Sequence, residues 1–238
     1  MAETDRWDDD CLALLTFLYA FWSRERRPPN LADVHAGTGF SRRDVRRLYR
    51  RLQAGFAVVV DDERVNLSLL KAPPFSATPT PVAGYVDGGF LSYLGCPAEA
   101  VSASNLPPLA DATLTVRSAC ACCFAPIELD LHRMEVVRAD PHEPVVVAVT
   151  PPWEWEEGVR SDHVCDAFHY VLDRYHGERF AAELARRPVF LELWQMREMA
   201  RGAGEGRMRD RDWPPIRIDA RRTIEGLTAL GVDTSPWR

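Results

Sequence analysis

With 238 residues, 46% of them hydrophobic and 27% charged, the chain is long enough to bury a real core and reads as one compact unit or two small ones, neither disordered nor fibrous. A formal charge of −6 gives no overall pull toward nucleic acid or an anionic membrane. The first ten residues are acidic and polar, not basic and then apolar as in a secretory signal, and the apolar stretch 12–22 is too short to cross a bilayer.

The expectation is therefore a cytoplasmic protein whose six cysteines stay reduced and available for metal binding or catalysis. In chain order, Leu12, Leu15, Leu18, Tyr19 and Trp22 recur at helical spacing within 6–27, and Arg24, Arg26 and Arg27 followed by Pro28 and Pro29 close that helix. A short helix over 31–36 follows. Ser41 then serves as N-cap, with Asp44 at the third helical position, for a second strong helix. Its buried stripe is Val45, Leu48, Tyr49 and Leu52, with Arg42, Arg43, Arg46, Arg47, Arg50 and Arg51 outside and Gly55 at its end.

Strands over 56–60 and 65–70, joined by a turn at 61–64, complete a winged helix-turn-helix pattern. Two readings stay open for the arginine helix. It could enter a DNA groove, or it could be the solvated face of a fold-building module. Asp61, Asp62 and Glu63 at the wing tip and the negative chain favour the second.

The proline-rich stretch 72–81 reads as a linker, dividing a winged-helix-like domain, 1–80, from a second domain, 81–238. Beyond it, strands are expected over 82–86, 113–117, 127–131, 135–138 and 145–149, with helices over 97–104, 178–186, 189–200 and 220–230 and a surface loop over 201–211. The fold class is α/β (α+β), with the N-terminal module packed on a mixed sheet flanked by helices.

Cys96-Pro97-Ala98-Glu99 carries the sharpest chemistry. Proline favours the first helical position, which puts Cys96 at the N-cap and Glu99 at the third position. A thiol there faces unsatisfied N–H groups and the positive end of the helix dipole, which favours its thiolate. The plain alternative is a buried, inert cysteine. Cys120-x-x-Cys123 in a tight turn, with Cys165 and His169 further on, allows a structural zinc site; the other reading is one structural cysteine and two incidental ones. His163 and His169 read as structural.

Taken together, the order of parts resembles the organomercurial (alkylmercury) lyases. The similarity covers roughly 10–205: the winged-helix-like module, Pro74-Phe75-Ser76-Ala77-x-Pro79-Thr80, Tyr93-Leu94-Gly95-Cys96-Pro97-Ala98-Glu99, Leu106-Pro107-Pro108-Leu109, Ser118-x-Cys120 ending in Ala125-Pro126, Pro151-Pro152, and Cys165-x-x-x-His169-Tyr170. The resemblance implies a small organomercurial substrate, no obligatory organic cofactor, Hg(II) left as bound product and free thiol to remove it. It implies Cys96 and Cys165 as the mercury-gripping thiolates, Glu99 as the proton-handling carboxyl where the family has Asp, and Cys120 as the structural cysteine. An ungapped register would instead put Ser102 at the carboxyl position. A redirected lyase scaffold and a metal-responsive DNA-binding regulator are the alternatives.

Overall fold

In the computed structural model, which describes residues 7–63, 66–156, 162–204, 208 and 219–238, Asp8 starts helix α1 (Asp9–Glu25) by accepting the Cys11 backbone N–H at 2.8 Å. Asn30 and Asp33 form a capping box for α2 (Leu31–Thr38), and Ser41 and Asp44 form the expected one for α3 (Arg42–Ala54). Leu14, Leu15, Leu18, Tyr19 and Trp22 of α1 and Val45, Leu48, Tyr49 and Leu52 of α3 are all buried in one core. On the outer face Arg47 reaches Asp10 at 3.3 Å, Arg50 reaches Asp62 at 3.4 Å, and Arg51 pairs with Asp8. These exposed pairs contribute at most about 1 kcal/mol each, but they occupy side chains that a groove-reading helix would turn toward phosphates.

The wing is β1 (Val59–Asp61) and β2 (Ser68–Ala72), an antiparallel hairpin. It starts later than expected because Phe56 turns through a positive φ of 59°; positions 64 and 65, part of the expected turn and second strand, lie outside the described residues. The stretch expected as a linker is not one. It holds β3 (Phe75–Ser76), which pairs with β2 and with β5 (Gly89–Leu94), and its fully buried Phe75 stacks on Trp22 with ring centroids 5.5 Å apart. The sheet thus continues from the N-terminal module through β4 (Val82–Val86), β6 (Leu114–Ala119), β7 (Pro126–His132) and β8 (Glu135–Asp140), in the order β1-β2-β3-β5-β4-β6-β7-β8.

A second sheet has β9 (Val145–Ala148) between β10 (Phe168–Val171) and β11 (Val189–Leu191). The helical and sheet content is as expected, but every recorded pairing is antiparallel, so the mixed sheet resolves into antiparallel ones; short hairpin turns link β4 to β5, β6 to β7 and β7 to β8. The expected helix over 189–200 is corrected in its first three residues, since Val189-Phe190-Leu191 pairs with β9 before α8 (Leu193–Gly204) begins. Residues 201–204 of the expected loop belong to α8; of the rest only Met208 is described. The remaining helices are α4 (Pro97–Ala103), α5 (Pro152–Glu156), α6 (Asp162–Cys165), α7 (Arg174–Glu183) and α9 (Ala220–Ala229). Among the described residues no helix is long and apolar enough to cross a membrane. α4 leaves the end of β5 and packs against β10 and α8, so the first cysteine motif is carried to the strand that follows the second.

Candidate functional site

Cys96 occupies the N-cap of α4 in an extended conformation (φ −166°, ψ 179°), with Pro97 opening the helix and no capping bond from the thiol. Its sulfur is therefore left for another partner. That partner is Cys165, the last residue of α6, whose thiol hydrogen-bonds to Cys96. The two cysteines are only 4% and 5% exposed although 69 positions separate them in sequence.

Glu99 joins them across Gly95. A methyl group on Gly95 would lie 2.8 Å from Cys165 Sγ and 3.3 Å from Glu99 Cγ, so the absence of a side chain lets the sulfur and the carboxyl stem close on one point of backbone. The Cys165 thiol is held well above its ordinary value, first by the hydrogen bond with Cys96, then by burial and by the negative charge of Cys96 and Glu99. Lys71 acts in the opposite direction.

A cavity of about 500 Å³ opens over both sulfurs, and its walls include Lys71 from β2, Thr80, Cys120, His169 and Tyr170. His169 bonds through Nε2 to the Asp166 carbonyl at 2.9 Å and is driven toward its neutral form by burial. The buried Tyr170 hydroxyl has no hydrogen-bond partner among the described residues, and burial together with the charge of Cys96 holds its proton firmly in place. The Cys120 turn is closed by two 2.8 Å backbone bonds, Cys120 N–H to the Ala125 carbonyl and Phe124 N–H to the Cys120 carbonyl. The Ala121 N–H ties it to the Tyr170 carbonyl at 3.0 Å. Cys120 is buried, Cys122 half-buried and Cys123 exposed. Among the described residues no group of three or more His, Cys, Asp or Glu side chains is arranged to hold a metal ion, so the zinc reading of this turn finds no support. Two thiols remain, a donor set suited to a soft ion of low coordination number.

Cys96, Glu99 and Cys165 are thus brought together. Ser102, the other candidate for the carboxyl position, is buried one turn further along α4 with its hydroxyl unpartnered among the described residues. The His163 side chain lies outside the described residues. Gly95 and Tyr170 stand within the quoted motifs without a role of their own, and Lys71 is not among the residues that the sequence singles out. A signal for Lys71 was present all the same, because it is the chain's one lysine among 29 basic residues.

Three comparisons bear on this geometry. A family model described as MerB: Alkylmercury lyase matches residues 75–202, more than half of the chain. Ten chains of solved structures match, among them the crystal structure of the mercury-bound form of MerB2, with a TM-score of 0.60 at 17% identity over 81% of this chain and 89% of that one. At that identity the likeness is one of fold. No curated protein matches in sequence.

Proposed function

We propose that this chain, which belongs to the alkylmercury lyase family and is an organomercurial lyase, breaks the carbon–mercury bond by protonolysis with two thiolates and one carboxyl. Cys96 attacks mercury first and displaces its labile ligand. Cys165 then gives its proton to Glu99 and binds mercury in turn, and Glu99 passes the proton to the carbon. The hydrocarbon leaves, and Hg(II) stays on the two sulfurs until free thiol removes it. Atoms and charge balance without a redox step or an organic cofactor.

The observation that carries this reading is the close approach of Cys165 Sγ and the Glu99 side chain to Gly95, the residue before Cys96, with both cysteines buried and lining one cavity. Two soft ligands beside a carboxylate-bearing side chain support the reading, and the raised pKa of Cys165 favours the protonated thiol that the transfer to Glu99 requires. Nucleic acid is not a partner in this reading, since Arg47, Arg50 and Arg51 are held by carboxylates of the protein's own α1 and hairpin. The test is hydrocarbon release: with excess monothiol, phenylmercury should yield benzene catalytically in headspace analysis. No benzene above the protein-free control would refute the lyase mechanism.

Gly95→Ala probes the close approach. The added methyl would sit inside the contact distance of Cys165 Sγ, so the sulfur or the helix start must shift. A displacement of that size should lower benzene release at least about 10-fold while the far-ultraviolet circular dichroism stays that of the wild type.

A further inference from the structure

Lys71 is unexplained by the steps above. It lies on β2 and is only 8% exposed, yet it lines the cavity that holds both sulfurs. No hydrogen bond or ion pair is recorded for its ammonium among the described residues. A buried cation without a partner is costly, and this chain uses arginine for every one of its other basic residues. Lysine differs from arginine in being a compact point charge, with no planar fork that needs a bidentate partner. The position therefore suits a compact charge at the edge of the cavity that holds the two sulfurs.

Resting on the lyase reading, the charge count says what that site is. An organomercury cation held by two thiolates carries one net negative charge while the carbon–mercury bond is intact. After protonolysis, Hg(II) on the same two thiolates is neutral, and the negative charge returns to Glu99. We propose that Lys71 is the fixed counter-charge of the organomercury–bis(thiolate) complex, stabilising the substrate-bound anion in preference to the neutral product. Its effect is electrostatic preorganisation: the ammonium is already in place, in a buried pocket where charges interact more strongly than in water. The influence of Lys71 on Cys165 runs in the same sense, favouring negative charge on that sulfur. The arrangement also helps turnover, because the complex that must let go of mercury is the one that Lys71 does not hold.

The test compares two ligands on one protein. In a Glu99→Gln background, which blocks cleavage and leaves the Cys165 proton to pass to buffer as mercury binds, phenylmercury and Hg(II) are each titrated in competition with a monothiol, with and without Lys71→Met. Phenylmercury affinity should fall about 10-fold or more on Lys71→Met, with Hg(II) affinity moving less than about threefold. An equal loss for both ligands would make Lys71 a structural residue, and no loss for phenylmercury would remove it from the site; either result overturns the proposal. Lys71→Gln serves as the second neutral variant should Lys71→Met fail to fold. A wild-type protein that released no hydrocarbon would strike the lyase reading alone, and the two affinities would still decide the role of Lys71.

Discussion

Glu99→Gln should still bind phenylmercury yet release benzene at least about 100-fold more slowly than the wild type, the scale of a lost general acid. Glutamine keeps the length and polarity of the side chain beside Gly95, so Cys96 and Cys165 stay where they are. What it removes is the ability to take the Cys165 proton and hand it to carbon. Single-turnover benzene release checks the rate, and retention of one tightly held mercurial per chain checks binding. Glu99→Asp should retain or improve activity, since the family carries aspartate at the matched position. Were Glu99→Gln to turn over at the wild-type rate while Ser102→Ala abolished activity, the ungapped register would replace the one used here.

Cys96→Ser and Cys165→Ser should each lower benzene release by about 1,000-fold or more, and the double variant should be no worse than the slower single one. Residues that act as a unit lose nearly everything with the first deletion. The two single variants differ in how they fail. Serine at 96 removes the ligand that makes the first bond, so tight mercurial binding is lost along with turnover. Serine at 165 leaves Cys96 able to form a one-sulfur adduct, but a hydroxyl is a poor ligand for a soft metal and a poor proton donor to Glu99. Native mass spectrometry after removal of loosely bound mercurial by monothiol should therefore find neither variant loaded, while Glu99→Gln protein with both cysteines present holds one equivalent. A serine variant within about tenfold of the wild-type rate would exclude that cysteine from the mechanism.

Much of this site was legible because its signals are local. The pair Ser41 and Asp44 states where α3 begins, and Cys96-Pro97 states where α4 begins, since both rest on capping physics that acts within four residues. That Cys165 would meet Cys96 is a long-range fact, supplied by family resemblance and not by periodicity. Other features were misread for identifiable reasons. Asp87-Gly88 is a two-residue hairpin loop with both φ values positive, 52° and 71°, an Asp-Gly turn signal absent from the expected elements. Val189-Phe190-Leu191 runs straight into the apolar pattern of α8, and only pairing with β9 distinguishes strand from helix there. Phe75 looked like part of a proline-rich connector because nothing in the local sequence shows that Trp22 waits to stack on it. Lys71 escaped notice because a lone lysine is ordinarily a surface residue.

The ladder that runs from β1 through β3 into β5 has a consequence for how this protein comes apart. Because β2 contributes a wall of the cavity and β3 bridges β2 to the strand leading into Cys96, the helical module and the thiol site have no seam between them at which one could open while the other stayed intact. The expected result is unfolding as one unit, with amide protons near β3 exchanging only through openings that also dismantle the site. Residues 81–238 on their own would leave the β5 edge bare, a template for pairing with other chains. Selection for cysteine chemistry and selection for the stability of the N-terminal core therefore act on the same free energy.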